Sequence, residues 1–276
     1  MAGFAIEDAF IKAASQTIPL AQILVLFGLA GAALFAALVK LKGEVLFSPE
    51  VLSKPMRIRA GFEVLGRLFY GLAVALTPLS SATVILQATP LVVVAGAALV
   101  FAEKVGWQRW SAILIGLLGV VIILQPTADS FTFLSLLAVL GMLGFAGRDL
   151  ASRAAPASLS ARVLGVYGFL AIALAGGLYA PFEQATFVWP SGSAALALCG
   201  ATVAGVAAYQ SLMTAMRTGE VSAVTPFRYT RLLFGVGLGV LIFDETLTLS
   251  MIMGSGLVVV SGLFILWRGR ALKDQR

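Results

Sequence analysis

SAVTPFRYTRLLFGVGLGVLIFDE, residues 222–245, is an apolar run of transmembrane length with Arg228 and Arg231 well inside it. A helix needs about 20 apolar residues to cross a ~30 Å hydrocarbon core. A charge near the centre of that core costs at least ~2.5 to 3.5 kcal/mol on insertion scales, so it faces a partner, a cavity or a substrate path. Two arginines in one such run therefore call for internal partners or a substrate path. The run also has a counterpart 141 residues earlier, with Ser81 under Ser222, Ala82 under Ala223, Thr89 under Thr230, Leu91 under Leu232, Gly96 under Gly237 and Glu103 under Asp244. The same offset lays GFAIEDAFIKAA from Gly3 under GFAGRDLASRAA from Gly144. The chain reads as two related halves.

Sixty per cent hydrophobic residues and twelve per cent charged ones over 276 residues, with a mean hydropathy of +1.00, exclude a soluble domain, whose charged share is nearer ~25%. The composition is that of an all-α, multi-pass membrane protein, long enough for ten helices joined by short loops. Its excess of Lys and Arg sits at helix ends, not in a run interleaved with aromatics, so the partners expected are the lipid bilayer and a small molecule, with no nucleic acid. One cysteine, Cys199, and no histidine rule out an intramolecular disulfide and remove the commonest metal ligand, so neither a metal nor a cofactor is expected.

The first half, residues 1–126, is expected to hold helices 1 to 5, and the second, residues 127–276, helices 6 to 10 and a basic tail. Helix 1 ends near Ala14 and is shorter than its counterpart, which predicts that it begins before Met1 or is truncated; Glu7 and Asp8 interrupt any signal-peptide core. Helix 2 spans about Pro19 to Val39, and the connector from Lys40 to Arg59 carries Pro49 and Pro55 as breakers. Helix 3 is expected from about Ala60 to Leu76, with Glu63 and Arg67 four apart on one face. Helix 4 runs from Ser80 to Phe101 after a Thr77–Leu79 turn, with Pro90 in its middle, where it frees a carbonyl. Helix 5 runs from Trp107 to Leu124, and helices 6, 7, 8 and 10 from about Phe131, Ser158, Ser193 and Leu249. Gly235 and Gly239 form a close-packing pair in helix 9.

Five crossings per half, an odd number, predict inverted repeats, a recurrent build of secondary transporters with a site near the midplane. Of the 19 Lys and Arg, fourteen fall on the side of the termini, from Lys40 and Lys42 to Lys273 and Arg276, and only Lys12 on the other. That bias places both termini in the cytoplasm. The remaining four, Arg67, Arg148, Arg228 and Arg231, lie inside helices and are matched in number by Glu7, Asp8, Glu63 and Asp149.

The stretch PLSSATVILQATPLVVVAGAALVFAEKVGWQRWSAILIGLLGVVIILQP, residues 78–126, with Pro90, Glu103, the Gly106–Trp110 segment and the Gly116 and Gly119 pair, resembles the drug/metabolite transporter superfamily, the ten-helix EamA-like exporters. TPFRYTRLLF, Glu245, Gly254 and Gly256 resemble the corresponding part of the second half. Within the superfamily the chain is most similar to the aromatic amino-acid and paraquat exporters, although Arg231 stands where the first half has Pro90. The resemblance implies ten helices around a central cavity lined by helices 3, 4, 8 and 9, with helices 1 and 6 close by.

The residues supply the chemistry. Arg228 and Asp149 are matched in depth, about 9 to 10 Å inside the cytoplasmic boundary at 1.5 Å per residue. Arg231 lies deeper, beside Tyr229 and Thr230, where its planar fork suits a substrate carboxylate. Tyr70, Tyr209 and Tyr229 offer ring faces, and Pro90, Gln87 and Gln210 further contacts. The alternative is that Glu7, Asp8, Glu63, Arg67, Arg148, Asp149 and the other embedded charges pair internally and hold helices together, or serve in proton coupling. The expected activity is export of small metabolites, amino acids with apolar or aromatic side chains first, across the cytoplasmic membrane. The rival readings are a multidrug exporter and a membrane-embedded enzyme, the latter short of nucleophiles and bases.

Overall fold

The structure, a computed structural model, describes residues 1–76, 85–124, 134–183, 185–218, 224–234, 237 and 248–273. The Thr77–Leu79 turn, the Gly235/Gly239 pair, Glu245, the boundary at 126 and the Asp8 side chain lie outside the described residues. In hydrocarbon every backbone N–H and C=O must bond internally, and runs of Leu, Ala, Val and Gly without interior breakers do so as helices. These are α1 (Ala2–Ala14), α2 (Leu20–Leu41), α3 (Lys54–Leu76), α4 (Thr89–Phe101), α5 (Trp107–Leu124), α6 (Ser135–Ala154), α7 (Ala161–Glu183), α8 (Gly192–Thr218), a helical segment over 230–234 taken as α9, and α10 (Leu249–Lys273). Among them α2, α6, α7 and α8 are long and apolar enough to cross a membrane. Large apolar side chains on them such as Leu29, Leu136, Leu174 and Leu196 are exposed, a surface suited to lipid.

Three segments differ from their expected form. The third helix begins at Lys54, because Pro55 sits in the first turn, where its missing N–H costs nothing. Arg59, expected among the charges at the membrane edge, is thereby drawn into a helix interior and is fully buried. Pro90 lies in the first turn of α4, after helical residues 85–86 and a turn at 87–88, so the expected helix breaks just before it, and the Leu86 carbonyl accepts from the Thr89 hydroxyl. The ninth helix opens as a 3₁₀ turn, Thr225–Tyr229.

The helices pack in pairs: α2 on α7, α3 on α6, α1 on α8 and α5 on α10, with α3 also on α7, α2 on α8 and α4 on α6. Their registers run in opposite directions. On α2 and α7, Leu24 meets Gly176, Gly28 meets Ala173 and Phe35 meets Gly165. On α5 and α10, Gly119 meets Gly254 and Gly116 meets Ser261, whose hydroxyl donates to the Ala112 carbonyl at 2.6 Å. On α3 and α6 the backbones approach so closely that a Cβ on Gly144 would stand 2.5 Å from Gly66 Cα.

The α2–α7 pair is tied at both ends. The Glu183 carboxylate accepts hydrogen bonds from Leu20 N at 2.7 Å and Ala21 N at 2.8 Å, an anion on the positive end of α2. Beside it, Gln22 donates to the Val188 carbonyl at 2.6 Å and accepts from Val188 N at 2.8 Å. At the other end α2 closes with Gly43 at φ +65°, as Glu44 N donates to Val39 O and Gly43 N to Lys40 O. Only glycine enters that left-handed conformation without cost. The turn delivers Glu44 to Arg162 and to the Ser160 hydroxyl, which donates at 2.6 Å. Between the ties lies an aromatic core, with Phe27 and Phe35 at 5.0 and 5.5 Å from Phe169.

Candidate functional site: a buried ionic ladder

The periodicity of α3 places Arg59, Glu63 and Arg67 at successive steps of four, hence on one face. Arg59 donates from Nε to Ser152 Oγ at 2.9 Å and from Nη2 to the Leu164 carbonyl at 2.9 Å and to the Tyr209 hydroxyl. Tyr209 in turn donates to Glu63 Oε2 at 2.7 Å. Gly168 makes this junction possible: a Cβ there would stand 2.7 Å from Tyr209 Cζ and 3.0 Å from Arg59 Nη2.

Glu63 is the first acid of the ladder. Its Oε1 accepts from Arg148 Nη1 at 3.1 Å and lies 3.9 Å from Arg67 Nε, while Oε2 is 3.7 Å from Arg59 Nη2. Arg148 then reaches its neighbour, donating from Nε to Asp149 Oδ1 at 2.9 Å. The other Asp149 oxygen accepts from Arg228 Nη1. One connected system of charge thus joins α3, α6, α8 and the 3₁₀ turn, with a backbone carbonyl of α7 at its edge.

Burying a charge is costly unless it is paired and hydrogen-bonded, and here the pairing is uneven. Among the described residues four guanidiniums, of Arg59, Arg67, Arg148 and Arg228, share the two carboxylates of Glu63 and Asp149. Arg59 Nη1 and Arg67 Nε are buried with no hydrogen-bond acceptor among the described residues. The Phe145 ring supplies part of what is missing, with the Arg148 and Arg67 guanidinium carbons 5.1 and 5.6 Å from its centroid, within the range of cation–π attraction.

The ladder gathers Glu63, Arg67, Arg148, Asp149, Arg228 and Tyr209 from the sequence-derived set. The depth match of Arg228 and Asp149 is realised as an ion pair, and Glu63 and Arg67 share a face as expected. Tyr209 is a buried hydrogen-bond hub with no accessible ring face. Tyr229 is likewise fully buried, packed with Val120 and Val258, its hydroxyl without a partner among the described residues. Tyr70 stands edge-on to Phe145 at 5.9 Å. Gln87 precedes α4, Gln210 is half-buried with Oε1 unbonded, and Thr230 donates to the Phe227 carbonyl at 2.7 Å. Arg231 turns to the other half, its guanidinium 5.3 Å from the Phe4 ring of α1. Glu7, also on α1, is buried against Gly205. Arg59, Ser152 and Gly168 were absent from the expected set. The step of four from Arg59 to Glu63 is a sequence signal for Arg59 alone.

The profile of the EamA-like transporter family matches residues 1–125 and 132–267, and the chain belongs to that family, within the drug/metabolite transporter superfamily. A riboflavin transporter of Vibrio cholerae serotype O1 is 30% identical over 72% of this chain and 66% of its own length. An S-adenosylmethionine uptake transporter of Rickettsia prowazekii is 26% identical over 72% and 66%, so the chain spans under two thirds of the length of these two relatives. A pseudopaline exporter of Pseudomonas aeruginosa is 28% identical over 94% of this chain and 90% of its own. A crystal structure of a protein 22% identical superposes with a TM-score of 0.81 over 98% of this chain and 97% of the other, which establishes a shared fold. These relatives carry the EamA-like placement. The finer likeness to aromatic amino-acid and paraquat exporters does not come from them.

Proposed function

We propose that the chain is a secondary transporter of the cytoplasmic membrane that exports small carboxylate-bearing metabolites, amino acids first among them, by alternating access. The observation that carries this reading is the ionic ladder. It sets ionised groups at about 8 to 20 Å along α3, counted at 1.5 Å per residue from Lys54, and it joins α3 of the first half to α6, α8 and the 3₁₀ turn of the second. Groups so placed at the seam of two halves are where a carrier of this build holds its cargo. The excess of guanidinium favours an anionic group over an organic cation, which sets the multidrug reading second.

The architecture in this proposal is ten helices in two inverted repeats, divided near residue 126. Exchanging each helix for the one five places later maps the α3–α6 contact onto α8–α1, and α2–α7 and α5–α10 onto themselves. The opposed registers of those last two pairs are what an inverted relation requires, and the family profile also falls in two parts, 1–125 and 132–267. Both termini face the cytoplasm: without Arg59 the bias of Lys and Arg is still thirteen to one. In a Cys199→Ser background, labelling of a cysteine at Ser48 from outside the cell contradicts this orientation.

Reconstitution into liposomes with a panel of amino acids, with and without a pH gradient, tests the function. Saturable flux of at least one carboxylate-bearing metabolite is expected. Vesicles as tight as protein-free ones to the whole panel contradict it.

A further inference from the structure

We propose that Arg67, and not Arg231, is the residue that holds the substrate carboxylate, against an aromatic wall made by Phe145 and Tyr70. The inference rests on the transporter reading and names the anchor within its site.

Four observations converge on Arg67. Within the ladder the side chains of Arg59, Glu63 and Asp149 are 0% exposed and that of Arg148 5%, whereas Arg67 is 21% and Arg228 17% exposed. Of the two accessible guanidiniums, Arg228 already has a direct ion pair with Asp149. Among the described residues, the one carboxylate near Arg67 is that of Glu63 at 3.9 Å, whose Oε1 is engaged by Arg148 and whose Oε2 by Tyr209, and the Arg67 Nε has no acceptor. Among the described residues the ladder carries four cations to two anions, so an additional carboxylate offsets part of its excess positive charge.

Depth and surroundings agree with the ion count. Arg67 is thirteen residues from the start of α3, about 20 Å along an axis of 1.5 Å per residue, near the middle of the membrane. An intramembrane cation that retains accessible surface there faces water or a substrate path and not lipid. The Phe145 ring lies 5.6 Å from the guanidinium carbon, and Tyr70, one turn further along α3, meets the same ring edge-on at 5.9 Å. A forked donor beside two rings matches a carboxylate attached to an apolar or aromatic body. The bond expected is a charge-assisted, two-point contact from the Arg67 guanidinium.

The test uses full-length protein in nanodiscs and calorimetric titration with matched probes: L-phenylalanine against L-phenylalaninamide, and succinate against succinamide. Wild type should bind at least one acid about tenfold or more tighter than its amide, since a site built to bond a polar group rejects the analogue lacking it. Arg67→Gln should abolish the preference. Arg67→Lys, which keeps the charge but loses the planar fork, should retain part of it and serves alone if the glutamine variant does not fold. No preference for either acid in wild type overturns the proposal, as does a preference undiminished in folded Arg67→Gln or Arg67→Lys. A preference that survives in Arg67→Gln but falls in Arg231→Gln moves the anchor to Arg231 and leaves the transporter reading standing.

Discussion

The hydroxyl of Tyr209 on α8 donates to the Glu63 carboxylate of α3 at 2.7 Å while accepting from Arg59 of the same helix. A phenol in this position neutralises nothing, yet it satisfies an acid and a cation at once. Tyr209→Phe keeps the ring that packs at 5.5 Å from Phe169 and removes only the oxygen, leaving both neighbours one partner short. Unpaired buried polar groups cost ~1–3 kcal/mol each. Thermal unfolding in detergent should therefore show a clear loss of stability. An unchanged melting temperature would mean that water replaces the hydroxyl and the junction is wet.

The Asp149–Arg228 pair links α6 to the 3₁₀ turn. Breaking a buried pair from one side costs ~3–5 kcal/mol, because the other charge is left alone, while removing both is far milder. Arg228→Gln should be strongly destabilising, and adding Asp149→Asn should give less recovery than in an isolated pair, since Asp149 also holds Arg148. A double-variant cycle on unfolding midpoints measures the coupling. Strict additivity would show that the two residues do not meet.

Outside the membrane-spanning segments, Glu44 is held below the usual carboxylate range, first by its hydrogen bond with the Arg162 guanidinium and also by the Ser160 hydroxyl. A depressed acid contributes stability that is present above the unfolded pKa of ~4.3 and is lost as pH falls through the lower folded value. The tie between α2 and α7 should thus hold at neutral pH and release on strong acidification. With the pair a quarter to a third exposed, solvent screening limits its effect to roughly 1 kcal/mol or less. Glu44→Gln should flatten the acid limb of the stability profile. If it shifts the neutral plateau and leaves the acid limb unchanged, Glu44 acts through packing and not through its charge.

Two glycines near the same helix crossing should respond oppositely to alanine. A Cβ on Gly144 would stand 2.5 Å from both Cα and N of Gly66, whereas one on Gly61 meets nothing within 4 Å. Gly144→Ala should force α3 and α6 apart, at ~1–3 kcal/mol for overpacking. Gly61→Ala should be neutral or stabilising by up to ~1 kcal/mol from helix propensity. Equal melting temperatures for the two variants would contradict the close crossing.

Much of this fold is legible in the sequence because lipid imposes a simple rule: an apolar run of sufficient length must be a helix. The ends of α5 and the start of α10 fall where hydropathy changes, and Asp149 and Arg228 meet because their depths agree. The start of α3 is not legible by that rule. Lys54 to Arg59 is polar enough to read as connector, yet the helix extends through it and carries Arg59 inwards, where Ser152, Leu164 and Tyr209 receive it. The break before Pro90 is not legible for a related reason, since a proline is compatible with a kink inside a helix or with a new helix start and only tertiary context selects between them. Tyr209 read as a ring for a substrate because residue type does not report which neighbours claim its hydroxyl. Gly168, which leaves room for that hydroxyl, is one of 29 glycines and carries no distinguishing local signal.

Counterflow measures carboxylate transport through Arg67 directly. Proteoliposomes preloaded with unlabelled L-phenylalanine, and in a parallel set with L-glutamate, are diluted into the labelled amino acid, and the uptake overshoot is followed with time. A transient accumulation is expected for at least one of the two that requires the preload, saturates with concentration and is lost in Arg67→Gln while the variant remains folded. Uptake indistinguishable from protein-free vesicles for both amino acids, with the protein monodisperse and inserted, would contradict it.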